Sequence, residues 1–287
     1  MRSLLFVPGN SAKMMAKAAA SGADVIILDL EDAVHPDAKQ AARRLVAEAL
    51  ANRTGNVPAR YVRVNALDSA WCLGDLEAVI PARPDGIMLP KLAGPEDLRR
   101  VSGLIERWER AAERGRTKII PVCTETPAAT LSLAAKSWAH PRLAGLLWGG
   151  EDLSAAIGAT ANRDEDGRYT APFALARSLS LMAAHAAGVV PIDAVYTDFR
   201  DGDGLRRETD AARRDGFSAK AAIHPAQIEI INRCFTPTEV ERQWAQRILS
   251  AFGASSSGVV QIDGVMMDAP HRAQALRIMA AFERRTI

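Results

Sequence analysis

Eight short apolar runs, each followed by a polar loop and then by an alanine-rich stretch, constrain the fold of this 287-residue chain more than any other feature. The stretches between the runs carry apolar residues at helical spacing. The predicted strands are Leu4–Val7, Val25–Asp29, Tyr61–Val64, Gly86–Leu89, Lys118–Cys123, Gly145–Trp148, Val189–Ala194 and Ala219–Ile223. Helices are predicted over Ser11–Ser21, Ala38–Ala51, Pro95–Arg114 and Pro172–Ala187.

Strands that alternate with helices predict parallel strands joined by crossover helices. Right-handed crossovers leave two main architectures, an open doubly wound sheet or a closed barrel. Eight units in roughly 225 residues match the (β/α)8 TIM barrel, which needs about 250. No Gly-x-Gly-x-x-Gly motif opens a predicted helix, so the dinucleotide-binding alternative has no support. We therefore predict an α/β fold of the TIM-barrel type.

The pattern changes in the last fifth of the chain. Thr238-x-x-Glu241 forms a capping box, which predicts the start of a helix, and apolar residues then follow at helical spacing. Gly253 suits the end of that helix. This segment therefore predicts a long helix that does not belong to the strand–helix repeat.

A C-terminal extension is predicted to follow the barrel. The composition of residues 254–258, Ala-Ser-Ser-Ser-Gly, indicates a flexible linker, and a last helix is predicted over Ala269–Arg284. We predict a catalytic barrel over residues 1–235 and a helical extension over residues 236–287. The extension is either a mobile lid or a plain helical appendage packed on the barrel.

Composition excludes several classes of function. Lys and Arg number 36 against 34 Asp and Glu, a formal charge of +2 that favours neither nucleic acid nor a membrane surface. Three cysteines without a CxxC motif argue against a disulfide framework or a zinc site. The first apolar run is too short for a signal peptide, and no run approaches the ~18 apolar residues of a membrane span. These features predict a soluble cytoplasmic protein.

Acidic residues and an arginine stand where the second and third predicted strands end, and a TIM barrel keeps its active site at the C-terminal ends of its strands. Strand alternation predicts Asp29 and Glu31 on one face and Asp32 on the other. Three carboxylates in four residues are costly to bring together without a cation. Arg63, between two valines, can bind a substrate carboxylate in a bidentate manner. Its alternative role is a structural ion pair with a neighbour such as Asp29.

Two further carboxylates follow the fifth and sixth predicted strands. Glu125 and Asp152 come from adjacent strand ends and can share one hard cation. Mg²⁺ takes one or two carboxylates and keeps positions for water and substrate. No histidine cluster accompanies them, which argues against zinc. The two residues predict a magnesium site, although the same acids would also suit caps of the helices that follow.

Eight segments, in order along nearly the whole predicted barrel, resemble the HpcH/HpaI aldolase–citrate lyase superfamily, in its branch of citrate lyase β-subunit-like and malyl-CoA or citramalyl-CoA lyases. Each segment alone is a weak signal, and together they are a strong one. They are Leu5-Phe6-Val7-Pro8-Gly9-Asn10, Ser21-Gly22-Ala23-Asp24, Leu28-Asp29-Leu30-Glu31-Asp32-Ala33-Val34, Arg63-Val64-Asn65, Met88-Leu89-Pro90-Lys91, Glu125-Thr126-Pro127, Gly149-Gly150-Glu151-Asp152-Leu153 and Ile223-His224-Pro225-Ala226-Gln227-Ile228.

The resemblance implies a metal centre at the carboxyl end of the barrel. It implies that Mg²⁺ is bound by Glu125 and Asp152. Glu31 and Asp32 would bind the water molecules of the metal, and Asp29 would stand in the same outer layer of acids.

The resemblance also implies how ligands bind. Arg63 would hold the carboxylate of a 2-oxo or hydroxy acid, and the loop from Phe6 to Lys13 would lie near the CoA of an acyl-CoA. The chain would assemble as a homotrimer or hexamer.

The C-terminal segment Met267-Asp268-Ala269-Pro270 carries a further likeness. From the residues alone, Asp268 is an N-cap candidate before the last helix. Stand-alone CoA lyases of the superfamily carry a similar segment, whose aspartate reaches the site of a neighbouring subunit. The resemblance therefore implies a catalytic role for Asp268 and favours a free acyl-CoA over an acyl-carrier protein as substrate.

The sequence thus predicts a magnesium-dependent carbon–carbon lyase that cleaves malyl-CoA or citramalyl-CoA to acetyl-CoA and glyoxylate or pyruvate. Four alternatives stay open: a citrate lyase β-subunit, a CoA-independent class II aldolase, a malyl-CoA thioesterase and a non-catalytic acyl-CoA-binding protein. The sequence does not choose between the two oxo acids, because one methyl group is worth only about 1–3 kcal/mol of discrimination.

Overall fold

The structure, a computed structural model, describes residues 1–53, 58–255 and 257–283. The chain divides into two compact units, Met1–Asn232 and Arg233–Ile287. No helix within the described residues is both long and apolar enough to cross a membrane. The first unit contains eight strands: β1 (Ser3–Pro8), β2 (Val25–Asp29), β3 (Ala59–Arg63), β4 (Gly86–Leu89), β5 (Lys118–Pro121), β6 (Gly145–Leu147), β7 (Val190–Asp193) and β8 (Ala219–Ala222).

These strands form one parallel sheet in the order β5-β4-β3-β2-β1-β8-β7-β6. The outer strands β5 and β6 also approach each other. The main-chain N–H of Ile119 donates to the carbonyl of Arg142 at 2.7 Å, and that of Cys123 donates to the carbonyl of Leu147 at 2.8 Å. These bonds bring the two edges together, so the sheet is a nearly closed barrel. The predicted TIM-barrel fold is confirmed.

Helices follow the strands, as the alternating pattern predicts. The helices are α1 (Ala12–Ala18), α2 (Lys39–Ala51), α3 (Cys72–Val79), α4 (Glu96–Ile105), α5 (Pro127–Ala135), α6 (Glu151–Ile157), α7 (Ala171–Ala186), α8 (Gly202–Asp215), α9 (Ile228–Phe235), α10 (Glu239–Gly253) and α11 (Ala269–Glu283). Short 3₁₀ turns occur at Pro36–Ala38, Ile80–Ala82, Ala111–Glu113 and Pro225–Gln227.

The predicted helix over Pro95–Arg114 is wrong in its second half, because α4 ends at Ile105. The side chain of Glu109 accepts hydrogen bonds from the main-chain N–H groups of Gly115 (3.0 Å) and Thr117 (2.9 Å). These contacts fold the segment back toward β5, so it cannot continue as a helix.

The barrel interior is filled by apolar side chains from all eight strands, mostly every second residue of a strand, as strand alternation requires. Gly86 leaves room for the ring of Tyr61, since a Cβ at residue 86 would collide with that ring. The buried members of this cluster are Leu4, Val25, Ile27, Tyr61, Met88, Ile120, Val122, Leu147, Ile192, Ala219 and Ala221.

The second unit is built on the two long helices α10 and α11. The predicted capping box is present, because the side chain of Thr238 accepts from the N–H of Glu241 and the Glu241 carboxylate accepts from the N–H of Thr238. An antiparallel hairpin, β9 (Val260–Ile262) and β10 (Val265–Met267), connects the helices. The predicted linker includes Ser256 and the predicted last helix includes Arg284, which lie outside the described residues.

A buried ion pair fastens the amino ends of β5 and β6. The guanidinium of Arg142 binds both carboxylate oxygens of Glu109, at 2.9 and 2.7 Å, and also donates to the carbonyl of Thr117 and the hydroxyl of Ser102. Burial alone would raise the pKa of Glu109. The hydrogen bonds from Arg142, Thr117 and Gly115 outweigh that effect and lower the pKa from 4.5 to about 2.

We expect Glu109→Gln to lower the free energy of unfolding at pH 7 by about 2–4 kcal/mol, because the buried guanidinium of Arg142 would keep only the more exposed Glu106, 3.5 Å away, as a counter-charge. A lowered pKa contributes stability that is present above the unfolded-state pKa and lost as the pH falls toward the folded-state value. The difference between the variant and the wild type should therefore shrink as the pH is lowered from about 5 toward 2.

Urea unfolding at several pH values measures this difference. The matched control is Glu96→Gln, which breaks the exposed Glu96–Lys136 pair (3.0 Å) and should cost less than about 1 kcal/mol. Equal losses in the two variants would contradict a stabilising role for the buried pair.

Candidate active site

Four carboxylates meet at the carboxyl end of the barrel, and we call Glu31, Asp32, Glu125 and Asp152 the carboxylate cluster. Glu31 and Asp32 follow β2, Glu125 follows β5, and Asp152 lies in the first turn of α6. Lys91, which follows β4, contacts each of the four through its ammonium or its main-chain N–H. The fold therefore brings together the acids that the sequence places on separate strands.

Arg63 and Asp29 form a bidentate ion pair beside the cluster. They are register partners on β3 and β2, and the guanidinium donates from Nε and Nη2 to the two Asp29 oxygens at 2.8 and 2.7 Å. Burial alone would lower the pKa of Arg63, but the hydrogen bonds to Asp29 and the charge of Glu31 raise it above its ordinary value. The structural ion pair named as the alternative role of Arg63 is therefore present. It uses one edge of the guanidinium, and Nη1 lies 2.9 Å from Glu31 Oε2.

The predicted separation of Glu31 and Asp32 onto opposite faces is wrong. Both side chains contact the ammonium of Lys91, at 2.6 and 3.1 Å. Strand alternation no longer applies here, because β2 ends at Asp29 and the chain turns when the Glu31 N–H donates to the Asp29 carboxylate. Burial raises the pKa of Glu31. Burial has the same effect on the more exposed Asp32, but the hydrogen bond from Lys91 and the charge of Arg63 lower its pKa overall.

A second buried network holds the main chain that carries Glu31. The ammonium of Lys39 donates to the carbonyls of Leu30 and Glu31 at 2.7 and 2.8 Å and to Asn65 Oδ1 at 2.7 Å. The side-chain amide of Asn65 donates in turn to Asp75. These bonds direct the side chain of Asn65 toward Lys39 instead of the cluster.

Glu125 is buried, to the same degree as Glu31. Only the main-chain N–H of Lys91, at 2.5 Å, donates a hydrogen bond to this carboxylate among the described residues. Burial, followed by the negative charges of Asp152 and Glu31, raises the pKa of Glu125 to about 8, although the Lys91 N–H acts in the opposite sense. A buried carboxylate with so few donors is costly to ionise unless a cation is near.

The turn after β6 lies tightly against Glu125. The Thr124 hydroxyl donates to the carbonyl of Gly149 at 2.9 Å and accepts from its N–H at 2.8 Å. A Cβ at Gly149 would lie 3.3 Å from Glu125 Cγ, so glycine permits the close approach. The strand ends that carry Glu125 and Asp152 are thus fastened together.

Neither Glu125 nor Asp152 caps a helix, which had been the alternative role for both. The N-cap of α5 is Thr126, whose hydroxyl accepts from the N–H of Ala129. The N-cap of α6 is Gly150, which has no side chain to offer. The two carboxylates are therefore free for another role.

Lys91 is the site residue that sequence reasoning missed, although it stands in one of the family-like segments. Its backbone adopts the left-handed conformation, with φ of 51°, which is uncommon for a residue with a side chain. Its ammonium lies 2.6 Å from Glu31, 3.1 Å from Asp32 and 3.4 Å from Asp152. Strain of this kind gathers at functional sites.

The donor set suits a hard divalent cation. Glu125 and Asp152 supply carboxylate oxygens, which Mg²⁺ prefers. Glu31 Oε2 is buried and receives no hydrogen bond of good geometry, despite its ion contact with Arg63. The described residues contain no group of three or more His, Cys, Asp or Glu side chains placed to hold a metal. A site with two carboxylates would therefore leave several positions for water and substrate.

Two further predicted site residues of the first unit, Phe6 and Lys13, do not belong to the cluster. The ring of Phe6 packs on Arg63, with Cζ 5.0 Å from the ring centroid. Lys13 is exposed on α1. In the second unit, Asp268 immediately precedes α11, and its carboxylate lies 2.6 Å from Nδ1 of His271.

Three comparisons relate the chain to known proteins. It is 37% identical over 285 residues to a (3S)-malyl-CoA thioesterase of Cereibacter sphaeroides, covering 98% of this chain and 94% of the relative. It is 35% identical over 303 residues to the mitochondrial citramalyl-CoA lyase of Mus musculus, covering 97% and 85%. The CitE protein of Mycobacterium tuberculosis, solved with magnesium, acetoacetate and coenzyme A, superposes with a TM-score of 0.80 at 33% identity, covering 98% of each chain.

The model of the HpcH/HpaI aldolase/citrate lyase family matches residues 2–225, which span the strands, the carboxylate cluster and Arg63. The resemblance stated from the sequence segments is thereby confirmed. This chain belongs to the HpcH/HpaI aldolase/citrate lyase family.

Proposed function

We propose that this protein is a magnesium-dependent carbon–carbon lyase that cleaves a 3-hydroxyacyl-CoA, malyl-CoA or citramalyl-CoA, to acetyl-CoA and a 2-oxo acid. The observation that carries the proposal is the meeting of Glu125 and Asp152 beside Arg63 at the carboxyl end of the barrel. Family membership supports the reaction class. The substrate class is supported by the citramalyl-CoA lyase relative and by the CitE structure solved with coenzyme A.

Glu125 and Asp152 would hold the metal. When bound, Mg²⁺ would act as a Lewis acid that stabilises negative charge developing on the substrate oxygens. The neighbouring acids Glu31 and Asp32 would accept hydrogen bonds from water around the site, and the Asp29–Arg63 pair would keep that side of the site rigid.

Arg63 would hold the substrate carboxylate. A guanidinium has five N–H donors, and Asp29 takes two of them on one edge. Nη1 also lies 2.9 Å from Glu31 Oε2 but forms no hydrogen bond of good geometry with it, so the edge formed by Nη1 and Nη2 keeps N–H groups that can pair with a substrate carboxylate. The ion pair with Asp29 therefore orients Arg63 for substrate binding without occupying all of its donors.

Asp268 would act as the acid and base of the reaction, from a neighbouring copy of the chain. As the hydroxyl gives its proton to a solvent water and the C2–C3 bond breaks, the bonding electrons would form the acetyl-CoA enolate, and Asp268, starting protonated, would give its proton to the α-carbon. In the condensation direction it would remove that proton. The proposal implies a homo-oligomer, such as a trimer or hexamer, and places Phe6 and Lys13 near the CoA.

Hydrolysis of the thioester is the second candidate function, favoured by the malyl-CoA thioesterase relative. It would need the same binding of CoA and carboxylate, with water attacking the thioester carbonyl in place of C–C cleavage. A citrate lyase β-subunit would instead need an acyl-carrier partner, and a class II aldolase would turn over substrates that lack CoA. A silent acyl-CoA-binding protein would not need a paired Glu125 and Asp152.

We expect purified protein to release acetyl-CoA and glyoxylate from malyl-CoA, or acetyl-CoA and pyruvate from citramalyl-CoA, and to stop when EDTA removes the metal. Product analysis by liquid chromatography distinguishes the candidates, because a thioesterase releases malate and free CoA. Metal-independent turnover would contradict the role given to Glu125 and Asp152. Failure to cleave either thioester would contradict the lyase.

A mixing experiment tests whether Asp268 acts in a neighbouring site. We expect Asp268→Asn and Glu125→Gln each to lower kcat by at least about 100-fold, because general acid–base catalysis typically contributes that much or more. In mixed oligomers, a site with both residues intact forms when the two variants are neighbours in the right order, so random mixing should restore about a quarter of wild-type activity.

The variants are unfolded together and refolded together before the assay, and Glu96→Gln, an exposed change outside the cluster, serves as a control. Absence of any recovery in a mixture that forms mixed oligomers would place Asp268 in the site of its own chain. Full activity of Asp268→Asn alone would remove it from the mechanism.

A further inference from the structure

Lys91 contacts every member of the carboxylate cluster, three of them through its ammonium. Its ammonium lies 2.6 Å from Glu31 Oε1, 3.1 Å from Asp32 Oδ1 and 3.4 Å from Asp152 Oδ1. Its main-chain N–H donates to Glu125 Oε2 at 2.5 Å. One residue thus contacts four acids that come from three strand ends.

The backbone conformation of Lys91 allows its main-chain N–H and its ammonium to contact the cluster at the same time. With φ of 51°, the residue adopts a left-handed conformation that side chains seldom take. In this conformation the N–H is directed at Glu125 while the side chain reaches the other three acids. The contacts that offset this strain are those of Lys91 with the carboxylate cluster. They indicate that the residue has a role in the site and not in general packing.

The charges around the site are unbalanced without a divalent ion. Asp29 and the four cluster acids make five carboxylates, and Arg63 and Lys91 are the cations that contact them directly at the site. Arg63 is engaged chiefly by Asp29. Within the described residues, Lys91 provides the only ion pair to Asp152, and no cation forms an ion pair with Glu125.

We propose that Lys91 is the counter-cation of the metal-free site, whose ammonium neutralises Glu31, Asp32 and Asp152 and is displaced from Asp152 when the metal binds. The inference rests on the metal site in the proposed function. It adds that the Lys91 ammonium competes with Mg²⁺ for that site. The ammonium keeps the acids together in the metal-free protein and lowers the affinity of the site for the metal.

The inference predicts that the affinity for Mg²⁺ rises when the charge of Lys91 is removed. Two like charges a few ångströms apart in a partly buried site repel each other strongly. Lys91→Met removes the repulsion toward Mg²⁺ and leaves the acids unneutralised in the metal-free protein. Methionine adds no new backbone strain, since Lys91 is already a non-glycine residue at positive φ.

The experiment is isothermal titration of Mg²⁺ into wild type and variants at pH 9, above the pKa of about 8 of Glu125, so that protons compete little. Lys91→Met should bind Mg²⁺ at least about tenfold more tightly than wild type. Lys91→Arg, which keeps the charge, should stay within about threefold of wild type. Lys136→Met removes a surface ammonium paired with Glu96 and should have no effect.

Thermal melting gives a second readout. Metal-free Lys91→Met should melt below wild type, and saturating Mg²⁺ should raise its Tm by more than it raises that of wild type. Lys91→Gln repeats the test if the methionine variant does not fold.

Each outcome bears on the inference separately from the proposed function. Tighter binding in the neutral variants supports the counter-cation. Equal or weaker binding in them, with wild type still binding Mg²⁺, overturns the counter-cation and leaves the metal site intact. Absence of Mg²⁺ binding by wild type at millimolar concentration overturns both.

Discussion

Repulsion among five carboxylates at one end of a barrel is the constraint on which the site depends. Asp29 and the carboxylate cluster come from the ends of three strands and would push those strand ends apart without cations between them. Two residues supply positive charge at this site. Arg63 is fixed on Asp29 by two hydrogen bonds, and Lys91 is held in a strained backbone conformation. The acids are therefore already close together, and their negative charge is only partly neutralised. A magnesium enzyme requires such a site to bind its cation.

The two ends of the barrel use buried charge for different purposes. At the amino end, Glu109 and Arg142 form a pair in which main-chain N–H groups also bind the carboxylate, and the pKa of Glu109 is lowered to about 2. At the carboxyl end, Glu125 accepts one hydrogen bond from the described part of the chain, and its pKa is raised to about 8. The first arrangement is complete and contributes stability, whereas the second has unused acceptor capacity and suits ligand binding.

Much of the fold was predictable because the periodicity of apolar residues is a local property of the sequence. The eight strands and the helices α2, α7 and α10 follow from it, and the approach of Glu125 to Asp152 follows from placing acids at parallel strand ends. The end of α4 was not predictable from periodicity, because it depends on the hydrogen bonds that Gly115 and Thr117 donate to the side chain of Glu109. The position of Asp32 was missed because β2 ends at Asp29. Lys91 was missed because the sequence Leu-Pro-Lys does not indicate a left-handed backbone. The contacts that Lys91 makes in this conformation are visible only in the folded site.

The most direct test of the central claim is a crystal structure of the protein soaked with Mn²⁺, a stand-in for Mg²⁺ that is visible by anomalous scattering. The account predicts one strong anomalous peak bound to the carboxylates of Glu125 and Asp152. A peak bound elsewhere, or no peak in crystals that leave the carboxyl end of the barrel open to solvent, would contradict the assignment of these two residues as the metal ligands.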